Sequence, residues 1–74
     1  MMSPDEKLAY MANQIARNFQ AQGKDAAVAA TAQHIRQFWD PRMRSGIAAL
    51  LSSGRIELSP IARAALEGIH AEAD

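Results

Sequence analysis

Arg42 and Arg44 follow Pro41 closely, in what the sequence marks as the first turn or so of a helix, directly behind Phe38, Trp39 and Asp40. Unpaired first-turn amides and two guanidinium groups together make a receptor for a carboxylate or a phosphate. For folding alone the placement is unfavourable, because the positive end of the helix dipole disfavours each cation by about 0.3–1 kcal/mol. A local rule broken without visible compensation points to a use beyond folding. The competing structural explanation stacks Arg36 on Trp39 and returns Arg42 to Asp40 or another local acid. The run His34 to Arg44 also holds the single tryptophan, one of two phenylalanines and three of the eight Lys and Arg residues.

Other chemistry finds little support. His34 falls in mid-helix and His70 near the C-terminus, too far apart for a helical metal pair, and no serine nucleophile or isolated pair of carboxylates accompanies either. Both read as helix-surface histidines. Without cysteine there is neither a thiolate zinc site nor a disulfide. Gly23, Gly46, Gly54 and Gly68 stand singly, so they read as caps or close-packing points and not as a phosphate-cradling loop. Gly46, inside a helix, reads as close packing, since glycine there costs about 1 kcal/mol against alanine. No catalytic, cofactor-binding or metal-binding residue is assigned.

Eight basic residues balance eight acidic ones, which removes the usual electrostatic argument for nonspecific binding to nucleic acid or membrane surfaces. The start MMSPDEKLAY shows no basic stretch followed by an apolar run, and no segment approaches the roughly 20 apolar residues that span a bilayer. The expectation is a soluble, cytoplasmic protein with no membrane or nucleic-acid partner. At 74 residues the chain should form one helical domain, residues 1–74. A domain of this size buries only about 60% of its unfolded surface, so help from a partner surface is expected.

Three prolines each follow a good helix cap: Ser3-Pro4, Asp40-Pro41 and Ser59-Pro60. The ring suits the first helical position and the preceding oxygen can accept from first-turn amides. Ser3 with Glu6 also fits a capping box. Helix 1 is expected from Pro4 to about Gln22, with Leu8, Met11, Ala12, Ile15 and Phe19 inward and Gly23 as a left-handed cap. Helix 2 starts at Asp25, carries Val28, Ala32, Ile35 and Trp39 on one face, and ends before Pro41. Helix 3 runs from Pro41 toward Ser53 with Met43, Ile47, Leu50 and Leu51 inward and Gly54 as the stop. Helix 4 begins at Pro60 and shows Ile61, Ala65 and Ile69, with Ala62 and Leu66 alongside. The fold class is all-α: a small irregular bundle of four short helices with a sharp corner at Asp40-Pro41.

Phe38 and Trp39 are about 100° apart around their helix, so both rings cannot point the same way. One belongs to the core and the other is free for a partner. Alanines at 26, 27, 29, 30 and 32 make helix 2 apolar over more than one face, which suits contact on two sides. Asn13 and Gln14 lie off the core stripe and read as indifferent helix surface.

The order Met11-Ala12-Asn13-Gln14-Ile15-Ala16, then His34-Ile35 and Phe38-Trp39-Asp40-Pro41-Arg42-Met43-Arg44, then Leu58-Ser59-Pro60 with Ala65-Leu66, resembles the delta subunit of NAD-dependent formate dehydrogenases. The likeness runs from about Ser3 to Leu66, and the Phe38–Arg44 segment is its specific part. The resemblance implies a non-catalytic accessory subunit of a cytoplasmic molybdenum or tungsten enzyme, an oxidoreductase complex. In that complex the alpha subunit oxidises formate at a metal held by molybdopterin guanine dinucleotide, and iron–sulfur clusters and FMN pass electrons to NAD. This chain would bind none of these cofactors. Its implied partner is the catalytic alpha subunit, and its implied role is assembly, stability or cofactor maturation.

The residues expected to bind that partner are Phe38, Trp39, Arg42, Met43 and Arg44, with Trp39 and Met43 as apolar anchors and the arginines engaging acids or backbone carbonyls. Ser3, Asp40 and Ser59 are expected to serve as helix caps. Two rival functions stay open: a small nucleic-acid-binding module presenting Arg42, Arg44 and Arg55, and a transient maturation chaperone absent from the finished enzyme.

Overall fold

Local capping chemistry starts the helices where the Ser-Pro and Asp-Pro pairs place them. In the computed structural model, which describes residues 2–54 and 57–72, the elements are α1 (Pro4–Phe19), a 3₁₀ turn (Gln20–Gln22), α2 (Lys24–Phe38), α3 (Pro41–Ser53) and α4 (Pro60–Glu72). Among the described residues there is no strand. Ser3 Oγ accepts from the Glu6 amide at 3.2 Å while the Glu6 carboxylate accepts from the Ser3 amide at 3.0 Å, completing the capping box. The Ser3 amide, and after it the Ser3 hydroxyl, hold the Glu6 carboxyl below its ordinary value. Asp40 Oδ1 accepts from the Met43 amide at 2.8 Å, and Ser59 Oγ from the Ala62 amide at 3.2 Å. All three expected caps are in place.

The junction at Gly23 differs from expectation. The last turn of the first helix tightens to 3₁₀ geometry, and Gly23 takes φ 96°, ψ 157°, which is not the left-handed helical cap. This extended, positive-φ backbone belongs almost wholly to glycine. It turns the chain so that the Gly23 carbonyl accepts from the Ala27 amide at 2.8 Å, and α2 begins at Lys24 with Gly23 in the N-cap position, ahead of the expected Asp25. Gly54 does adopt the left-handed cap, φ 69°, ψ 14°, its amide donating to the Leu50 carbonyl.

The centre of the bundle is lined by small residues. Ala9, Ala12 and Ala16 of α1, Ala27, Ala32 and Ile35 of α2, Ile47 of α3, and Ala62, Ala65, Leu66 and Ile69 of α4 are buried, with Trp39 at the α2–α3 corner. Larger residues such as Leu8, Met11, Ile15, Val28 and Leu51 are only half-buried and pack around that seam. The inward line of α1 therefore keeps the expected Ala12 but shifts from Leu8, Met11 and Ile15 toward Ala9 and Ala16. Small side chains let helix backbones approach closely, and the larger ones then cover the contact from the sides. α2 packs mainly on α4 and α1, α1 also meets α3 and α4, and α3 touches α4 only lightly. A Cβ on Gly46 would sit 2.9 Å from Leu8 Cδ1, so Gly46 packs closely on α1, against the end of a side chain that can shift to make room. Gly68 has nothing near its Cβ position, so it is neither a cap nor a packing point.

Candidate functional site

The α2–α3 corner is built from two extended residues. Trp39 (φ −88°, ψ 135°) ends α2, its amide donating to the Ile35 carbonyl, and Asp40 (φ −79°, ψ 169°) caps α3. The reversal sends adjacent rings opposite ways. Trp39 is 4% exposed and belongs to the core, whereas Phe38 is 68% exposed. The expectation of Trp39 as a partner's anchor is corrected by that burial: the ring already spends its apolar surface inside this chain. Met43 is half-buried against the same core.

Arg44 also has a local explanation. Its Nε donates to the Trp39 carbonyl and its Nη2 to the Arg36 carbonyl, both at 3.4 Å. These are long contacts, but they place a cation at the negative C-terminal end of α2, where it is favourable. The sharp corner brings the end of one helix beside the start of the next, and this supplies the compensation that the sequence pattern lacks. Arg36 does not stack on Trp39; it forks onto Glu72 of α4, with Nε to Oε1 at 2.8 Å and Nη2 to Oε2 at 2.7 Å. Arg42 is exposed and has no ion pair among the described residues. Arg55 lies outside the described residues.

Asn13 departs from its reading as indifferent surface. Its Nδ2 donates to the Glu57 carbonyl at 3.1 Å and its Oδ1 accepts from the Ser59 amide at 2.9 Å, clamping the chain before α4 onto α1. Gln14 Nε2 donates to the Tyr10 hydroxyl at 3.2 Å.

The unassigned feature is an aromatic row. Phe38 lies over His34 one turn earlier, ring centroids 4.7 Å apart, and His34 meets Phe19 of α1 at 6.4 Å in an edge-on arrangement. Tyr10, 52% exposed, stands on the other side of a shallow groove of about 380 Å³ between α1 and the end of α2, floored by Met11, Ile15 and the edge of Trp39. All four Phe, Tyr and Trp residues of the chain lie in or beside it. Its sequence signal was the four-residue spacing of His34 with Phe38 and of Tyr10 with Gln14, which places each pair on one helix face. A second, larger groove of about 690 Å³ adjoins it, sharing Tyr10 and Gln14 and lined further by Arg17, Lys24 and Ser59.

The resemblance carried by the Phe38–Arg44 segment has an independent counterpart. Residues 7–66 match the family of the NADH-dependent formate dehydrogenase delta subunit, FdsD. The chain belongs to this family. The matched stretch contains the aromatic groove, the α2–α3 corner and the Asn13 clamp. No curated protein and no solved structure matches the chain. Membership of FdsD makes the chain one component of a formate dehydrogenase that has other subunits. No helix among the described residues of this FdsD-family chain is long and apolar enough to cross a membrane. Nor do three or more of their His, Asp or Glu side chains gather as metal ligands.

Proposed function

We propose that the chain is a non-catalytic subunit that binds the molybdopterin-carrying alpha subunit of a cytoplasmic NAD-dependent formate dehydrogenase and supports its assembly and stability. The observation that carries this reading is the family match over residues 7–66. The site geometry agrees with it. The side chains with the most chemistry are engaged in packing: His34 between two phenylalanine rings, Arg44 on the carbonyls of α2, and Arg36 on Glu72. In this reading the molybdenum or tungsten centre, the iron–sulfur clusters, FMN and NAD belong to the other subunits. A chain without cysteine offers no thiolate for an iron–sulfur cluster.

The test is native mass spectrometry of formate dehydrogenase purified through a tag on this chain, with metal content measured on the same sample. The expected result is a stoichiometric complex that contains the metal-loaded alpha subunit. Recovery of a metal-free alpha subunit alone would replace the permanent subunit with a maturation chaperone. Recovery of no dehydrogenase subunit would overturn the proposal.

A further inference from the structure

Charge is balanced over the whole chain but not over its surface. The aromatic groove is lined by Tyr10, Met11, Gln14, Ile15, His34, Phe38 and Trp39, and the groove beside it adds Arg17 and Lys24. Among the described residues, neither groove is lined by an aspartate or a glutamate. The two adjoin, with Tyr10 and Gln14 lining both. One side of the molecule therefore presents an apolar, ring-rich slot next to a polar one whose charged lining, among the described residues, is cationic.

Folding does not account for the arrangement. The core is closed by alanines, isoleucines, one leucine and the single tryptophan, while Phe38 and Tyr10 keep more than half their surface in water. A ring left outside a core this small forgoes burial worth about 1.5–3 kcal/mol. Partly exposed aromatic rings that adjoin a basic rim are the usual anchors of a protein contact.

Resting on the reading of the chain as a formate dehydrogenase subunit, we infer that this double groove is the docking face. Its occupant is an acidic amphipathic segment of another subunit, which sets a large apolar side chain against Phe38 and Tyr10 and carboxylates against Arg17 and Lys24. Charge complementarity selects this occupant: a basic segment would meet Arg17 and Lys24 with like charge, and a wholly apolar one would leave both cations desolvated without partners. The Arg42–Arg44 corner then contributes to folding and not to the main contact.

The experiment uses formate dehydrogenase expressed without this chain, to which the purified chain is added and its affinity measured at two salt concentrations. Phe38→Ala should weaken binding about tenfold or more. Arg17→Glu with Lys24→Glu should do the same and reverse the salt dependence, because screening then relieves repulsion from the acidic segment. Ser45→Arg and His70→Ala, in the separate groove between α3 and α4, should leave affinity unchanged. Phe38, Arg17 and Lys24 are exposed, so thermal unfolding followed by circular dichroism should show an intact fold in each variant. Weakening by the Ser45 and His70 changes, with the others silent, overturns the assigned face. Loss at Phe38 with no effect of charge reversal overturns the acidic occupant. Self-association of the wild-type chain that Phe38→Ala disperses, with enzyme binding intact, makes a second copy the occupant and overturns the inference. Failure of the wild-type chain to bind any form of the enzyme defeats the functional reading itself, a result separate from all of these.

Discussion

Thr31 is fully buried in α2 and its hydroxyl has no hydrogen-bond partner among the described residues. An unmade hydrogen bond leaves the desolvation of that hydroxyl uncompensated. Thr31→Val replaces it with a methyl of similar shape and should stabilise the protein by about 1 kcal/mol, raising the thermal midpoint by about 4–8 °C. A lower midpoint would show that the hydroxyl is satisfied. At this scale the sequence was legible only where partners are close in the chain. The caps at Ser3, Asp40 and Ser59 each bond three residues ahead, so their spacing announces them. Asn13 bonds residues 44 and 46 positions away, and no local pattern marks an asparagine that will clamp a distant segment.

Between elements, the end of α2 and the start of α3 act as a pair. Arg44 reaches the Trp39 and Arg36 carbonyls, whereas Arg42 extends into solvent without an ion pair among the described residues. Urea denaturation should therefore separate two arginines that look equivalent in sequence. Arg44→Ala should cost about 0.5–1 kcal/mol, and Arg42→Ala should stay within about 0.5 kcal/mol of wild type. Equal losses would remove the carbonyl contacts as the reason for Arg44. The starts of α1, α3 and α4 were readable because proline and cap residues act locally, whereas α2, which has neither, starts at Lys24 behind Gly23 and not at Asp25. The exact inward line of α1 was not readable: periodicity draws attention to Leu8, Met11, Ala12 and Ile15, while the buried line runs through Ala9, Ala12 and Ala16. That Phe38 and Trp39 cannot point the same way followed from helical geometry, but which ring would be buried depended on the extended backbone at Trp39.

For the molecule as a whole, a radius of gyration of 11.3 Å rests on a centre made mostly of methyl-sized side chains. Natural domains hold roughly 0.05–0.15 kcal/mol of stability per residue, so a chain this short has little to lose. Ala62 is fully buried on α4, and Ala62→Leu should overpack the seam and destabilise the protein by about 1–3 kcal/mol, seen as a lower thermal midpoint. An unchanged midpoint would mean that the helices can separate without loss. The same tight seam governs how such a chain can drift through mutation. Positions 12, 16, 27, 62 and 65 are almost wholly closed to solvent, so a side chain larger than alanine has no open space to enter and must displace its neighbours. Phe38 and Tyr10, largely in water, carry no such restriction from the fold itself. Any constraint that keeps rings at positions 10 and 38 would therefore have to come from outside the molecule.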